Sequence, residues 1–447
     1  MLQTIVNAWK IADLRKKMIF TALIVLIFRI GSAIPVPFTN IGEAGIIADP
    51  NAGTFMNYLA MMTGDAFTYG TIFAMSITPY INSSIIMQLL AVAIPALERL
   101  QKEGEEGRKK IASITRFVTI ALGVLQSTAY YFYLRSQGYL VESASGKGAA
   151  AVFAAFVIIL CFTAGTALIM WLGERINEKG IGNGISIILF AGIVSRIPTL
   201  IATLFGKTGY FSHGGPYYFL SPLVAIILIL MIAFIVWMDN AERRIPVQYA
   251  KRVVGRKMYG GQSTHIPIKV NMSGVMPVIF ASSILSLPPT IQMFVSSKLT
   301  EDSGWNTFFK IFTAEHWAYG IIYFVFIIAF AYFYASIQYN PIEMSKNIRD
   351  NGGSIPGIRP GEPTSRYIGK IINRMTLLGA LLLSVVALFP IIFSQVTTFF
   401  LNMWQEGASM NVSLGGTSII ILVGVALETV KQLESQMMMR HYKGFLD

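Results

Sequence analysis

Long apolar runs alternate with short polar stretches along this chain. Ten runs approach the roughly 20 residues that an α-helix needs to cross a bilayer core. They lie at about 18–36, 70–94, 114–134, 152–172, 183–203, 218–238, 274–294, 318–338, 376–396 and 414–431. Backbone groups in lipid must find their partners within the segment, so each run predicts a helix. The fifth is interrupted by Arg196 and Pro198, which places Arg196 near an interface or a watery cavity.

Two runs carry polar groups where lipid offers no partner. The second, AMSITPYINSSIIMQLL (74–90), holds Ser76, Thr78, Pro79, Tyr80, Asn82, Ser83, Ser84 and Gln88. Pro79 is expected to kink this span. The seventh, VMPVIFASSILSLPPT (275–290), repeats the theme with Pro277, Ser282 and Ser283. Such side chains can join neighbouring helices or meet an aqueous path. Ile77 and Ile81, four residues apart, share a face. A Pro- and Ser-containing second and seventh span fit two halves of five, an arrangement that commonly has inverted topology. A shorter stretch, TFMNYLAMMTGDAF (54–67), is apolar for only about two turns, roughly 12 Å. Its side chains Phe55, Met56, Tyr58, Leu59, Met61 and Met62 suit either a helix lying flat at the interface or a re-entrant helix in a vestibule.

Composition agrees with a polytopic membrane protein: 447 residues, 54% hydrophobic and 13% charged, where a soluble domain has about 25% charged. Placing both termini in the cytosol puts 28 of the 35 Lys and Arg on the cytosolic side, as the positive-inside rule requires. No small-residue cleavage site follows the first apolar run, so no removable signal peptide is expected. Two cytosolic connections, 239–273 and 339–375, are long and basic. They suit lipid headgroups, or a large anionic partner such as a ribosomal RNA surface.

The chemistry expected of other classes is missing from the sequence. The span interiors are almost free of Asp, Glu and His, which secondary transporters and pumps place at mid-membrane. No phosphate-binding GxxxxGK[ST] run, no HExxH and no His/Cys metal spacing occurs, and Cys161 alone makes no disulfide. No metal or cofactor is expected. A passive channel driven by partners, a small-solute transporter and an intramembrane enzyme are the competing readings; the lack of intramembrane ionisable groups favours the first.

Seven stretches resemble the SecY family of protein-conducting channels, in the family's order and across essentially the whole chain. They are SITPYINSSIIMQLL (76–90), EGEEGRKKI (103–111), LGERINEKGIGNGIS (172–186), YAKRVVGRKMYGGQSTHIPIKVNMSGVMPVIFASSI (249–284), NPIEMSKNIRDNGGSIPGIRPGEPTSRYI (340–368), GGTSIII (415–421) and RHYKGF (440–445). The resemblance implies an all-α polytopic fold of ten helices. Two pseudo-symmetric inverted halves, 1–205 and 206–447, would surround an hourglass pore. It implies a non-enzymatic channel that passes unfolded secretory chains and releases transmembrane segments sideways into lipid.

Carried over by position, the apolar ring at the waist is Ile77, Ile81, Ile185, Leu189, Ile279 and Ile421, and the short helix at about 55–65 is the plug. The lateral gate lies between the second and seventh spans, with Asn82, Ser83, Ser84, Gln88, Ser282 and Ser283 as its polar residues. The resemblance also implies SecE and SecG as companion subunits, and docking of the SecA ATPase or the ribosome. Arg243, Arg244, Lys251, Arg252, Arg256 and Lys257 are the docking residues on the first loop, and Arg359 on the second. The expected location is the bacterial plasma membrane. Two positions depart from the family pattern: Ser76 stands where Gly is more common, and Leu189 where Ile is.

Overall fold

The architecture was read from a computed structural model. It describes residues 2–41, 63, 66–146, 148–206, 210–213, 215, 217–249, 252–254, 257–259, 263–289, 291, 308–309, 311–312, 316–404 and 416–443. The expected plug residues Phe55, Met56, Tyr58, Leu59, Met61 and Met62, together with Lys251 and Arg256, lie outside them.

Each of the ten predicted spans contains a helix. They are α2 (Ala12–Gly31), α3 (Thr78–Ala93), α5 (Glu105–Ser136), α6 (Ala149–Lys179), α7 and α8 (Gly184–Val194 and Ile197–Phe205), α9 (Tyr217–Asn240), α10 (Met276–Leu285), α11 (Trp317–Gln338), α13 (Glu362–Trp404) and α14 (Gly416–Lys443). Among the described residues, seven helical segments are long and apolar enough to cross a membrane, and α3 joined to α4 (Pro95–Lys102) makes an eighth through a 106° bend. The helices keep large apolar side chains on their outer surfaces: Phe219 is 85% accessible and Val152 71%.

Two expectations change in the second span, while the fifth is interrupted where its sequence predicts. The second span is helical only from Thr78; residues 66–77 form consecutive turns. Pro79 therefore starts a helix instead of kinking one. Its missing N–H is harmless in a first turn, where that donor has no intrahelical acceptor. The sharp bend falls instead at Ile94–Pro95. In the fifth span the chain breaks at Ser195 and Arg196, and Pro198 opens the second piece.

The turn segment 66–77 is pinned on several sides. Tyr130 donates its hydroxyl to the Phe67 carbonyl at 2.6 Å. Thr71 Oγ1 donates to Ala66 O, Val36 N to Gly70 O and Ile72 N to Ile34 O. Gly165 on α6 lets this backbone approach, because a Cβ there would collide with the Ile72 carbonyl oxygen.

The two long basic connections, 239–273 and 339–375, fold together instead of remaining separate loops. β1 (Glu242–Tyr249) pairs antiparallel with β4 (Ser263–Lys269), in a register that sets Ile245 opposite Ile266. β5 (Gly353–Ser354), from the second connection, adds to the other edge of β1. Between β1 and β4, β2 (Arg252–Val254) and β3 (Lys257–Tyr259) form their own ladder. The second connection also holds α12 (Pro341–Asp350), and the first turns of α13 rise from it. Ile245, Val247 and Ile268 alternate inward and join Ile348, Ile355, Ile368 and Ile372 in one core. Burying such a side chain contributes about 1.5–3 kcal/mol, enough to hold two connections as one unit. A further small core ties α1 (Leu2–Lys10) to α14 through Ala8, Leu14, Ile181 and Leu433.

Candidate functional site: an apolar waist between helix starts

Four separate segments contribute to one extended buried apolar cluster that runs through the helical body. Ile77, Ile81, Leu189, Ile279 and Ile421 belong to one buried apolar cluster, and the half-buried Ile185 packs against it. Local structure explains how they arrive there. Ile77 immediately precedes α3, and Ile81 sits one turn into it. Ile185 and Leu189 occupy the first two turns of α7, whose N-cap Asn183 accepts a hydrogen bond from Ile185 N at 3.1 Å. Ile279 lies in the first turn of α10, and Ile421 in the second turn of α14. Every member comes from near a helix start. Branched aliphatic side chains there present only hydrocarbon and offer water and ions no hydrogen bond.

The polar residues of the second and seventh spans are divided among different jobs. Ser83 and Thr119 share a buried hydrogen bond between their hydroxyls, 2.5 Å long, joining α3 to α5. The predicted helix-to-helix bond therefore exists, but it runs to the third span. Gln88 Nε2 donates to Ser84 Oγ at 3.3 Å within α3. Ser282 donates to the Ile279 carbonyl of its own helix, and Ser283 is buried beside it. The buried Asn82 Oδ1 has no partner among the described residues. α3 and α10 touch, α3 also packs on α5, and α10 on α11. One turn from the Ser83–Thr119 bond, Arg116 Nε donates to Glu174 Oε1 at 2.7 Å, tying α5 to α6.

On the unit formed by the two long connections, Arg243 and Arg244 are exposed on β1, with Arg244 paired to Glu242 at 2.8 Å. Arg252 and Lys257 lie in the small ladder, opposite Tyr259 and Val254. Arg359 is exposed in a tight turn. Its carbonyl accepts from Thr364 Oγ1 at 2.9 Å, and the Gly361 carbonyl from Ser345 Oγ at 2.8 Å. These two hydroxyls hold the turn that presents the guanidinium. Among the described residues, no group of three or more His, Cys, Asp or Glu could hold a metal ion.

Sequence reasoning missed Tyr130 and Gly165, which seat the turn segment before the waist. Tyr130 looks like any aromatic of a span, and its hydroxyl acceptor is 63 residues away. Gly165 carried a signal in a weak form, as a small residue inside an apolar helix.

A bundle of long apolar helices packed around one extended hydrocarbon core defines a helical membrane protein. The comparisons identify which kind. The SecY family profile matches residues 71–430. The protein translocase subunit SecY of Streptomyces coelicolor is 43% identical over all of both chains, and that of Mycobacterium bovis 41% identical, again over all of both. A solved structure described as that of a protein-conducting channel superposes with a TM-score of 0.61 at 19% identity, covering 94% of this chain and 92% of the other. Sec61 in a canine ribosome–channel complex gives 0.59 at 19% identity, with the same coverage. The chain belongs to the SecY family. It is a channel subunit of the protein translocase, not an enzyme.

Proposed function

We propose that the pore of this translocase subunit closes at Ile77, Ile81, Ile185, Leu189, Ile279 and Ile421, and that unfolded secretory chains thread through that ring. The placement of all six near helix starts, five within one extended buried apolar cluster and Ile185 packed against it, supports the reading. Residues 1–205 and 206–447 act as two halves. Transmembrane segments leave sideways where α3 and α5 face α10 and α11. Asn82, Ser83, Ser84, Gln88, Ser282 and Ser283 line that gate, and the stretch at about 55–65 is the plug. The orphaned Asn82 Oδ1 supports the gate: a buried amide oxygen without a donor gains one when water or a polar segment enters the seam.

The chain sits in a bacterial plasma membrane with both termini cytosolic, and SecE and SecG complete the channel. Driving force comes from SecA or the translating ribosome, docked on Arg243, Arg244, Lys251, Arg252, Arg256, Lys257 and Arg359. The shared core of the two cytosolic connections supports this, because it holds β1 and the Arg359 turn in one frame. In the assembled translocon reconstituted into liposomes, Ile421→Asn raises the resting ion leak about tenfold or more, since a polar group rewets an apolar constriction. An unchanged leak in a complex of normal assembly overturns the ring reading.

A further inference from the structure

Ser76 immediately precedes the ring residue Ile77 and combines three unfavourable features. Its φ is +46°, the left-handed region that residues with a Cβ seldom adopt. It is 1% exposed, and its Oγ has no hydrogen-bond partner. Directly after it, α3 begins at Thr78 without any side-chain cap, although Ser is among the best capping residues. The Thr78 amide makes only a long bond, 3.3 Å, to Met75 O.

The start of α10 uses the same construction without these costs. Gly274, φ +59°, stands two residues before Met276 as Ser76 stands two before Thr78. Val275 and Ile77 are both α-region N-caps, at φ −85° and −93°. Pro277 and Pro79 follow in the first turn, and Ile279 and Ile81 hold the matching places in the ring. A Cβ on Gly274 would meet nothing within 4 Å. Glycine takes this conformation freely, and serine does not.

We propose that Ser76 is a positioning residue that biases the closed pore toward opening. The closed arrangement holds it strained, with its hydroxyl unsatisfied. On opening, α3 lengthens by one residue. Ile77, already near helical geometry, becomes its first residue. Ser76 relaxes to extended backbone and accepts a hydrogen bond from the Thr78 amide as the new N-cap. Both costs are relieved in one step, and the same step rotates Ile77 out of the ring. This rests on Ile77 belonging to the ring.

The test uses the assembled translocon in liposomes and two precursors, one with a full apolar signal segment and one with a shortened segment. Ser76→Gly relaxes the closed state, and Ser76→Ala cannot cap the opened one. Each lowers export of the shortened-signal precursor about three- to tenfold, while export of the full-signal precursor stays within about twofold. Wild-type export of the shortened-signal precursor by either variant, at normal complex levels, overturns the proposal. Ile421→Asn, measured alongside, separates the two failures. If it raises ion leak while the Ser76 variants are silent, the ring stands and the switch falls. If it leaves leak unchanged, the ring reading itself falls.

Discussion

The starts of α3 and α10 are two solutions to one problem. Each must turn the chain sharply, begin a helix without a side-chain cap, and aim an isoleucine at the same apolar cluster. α10 does so with glycine and α3 with serine. α3 is also held from outside, because the segment before it is pinned by Tyr130 and seated on Gly165. Residues in sparsely populated conformations persist when their surroundings over-determine them, and they gather at functional sites. The same backbone path is therefore relaxed on one side of the waist and loaded on the other.

The comparison can be broken most severely at its support. Gly165→Val drives a side chain into the Ile72 carbonyl and should destabilise the complex by about 3 kcal/mol, read as a lower denaturation midpoint. A loss below about 1 kcal/mol would mean that the seat is soft. Next comes exchange of the loaded and relaxed positions. Gly274→Ser should cost about 1 kcal/mol, because open space around it leaves only the backbone penalty. Ser76→Gly should gain a similar amount. Equal and small changes at both sites would erase the distinction.

A double-mutant cycle on Ser83→Ala and Thr119→Val should give a coupling near 0.6 kcal/mol, the usual worth of a hydroxyl bond between helices in a membrane. Zero coupling would free α3 from α5. Smallest is the Arg116–Glu174 pair, with Arg116 about half exposed. Glu174→Gln should cost about 0.5 kcal/mol or less and fade with salt.

Much of the fold was legible because lipid imposes hard rules. The places of the helices followed from apolar runs, and the proposed orientation from Lys and Arg. The all-helical membrane body followed from backbone satisfaction. What stayed hidden depends on contacts between distant segments. Hydropathy cannot separate apolar turns from an apolar helix, so residues 70–77 read as part of a span. Proline carries two meanings, start and kink, and only the geometry around Pro79 decides between them. The strands β1 and β4 did leave a trace in the alternation of Ile245 and Val247 with Arg244, Pro246 and Gln248, but the surrounding positive charge drew the reading toward an open loop. The proposed ring positions come from resemblance alone. The left-handed turn at Ser76 was visible only as a missing glycine.

The central claim is that Ile81 and Ile279, equivalent places on two helices of similar design, face one pore that a secretory chain occupies. Crosslinking tests it most directly. Cys161 is replaced by Ser, and a lone Cys is placed at Ile81, at Ile279, or at the lipid-facing Phe219. A secretory chain bearing one photoreactive or thiol-reactive residue is then stalled in the competent translocon. The account predicts crosslinks from both Ile81 and Ile279 to the same short stretch of the stalled chain, and none from Phe219. Crosslinks from Phe219 alone, or from neither ring position in a competent complex, would contradict it.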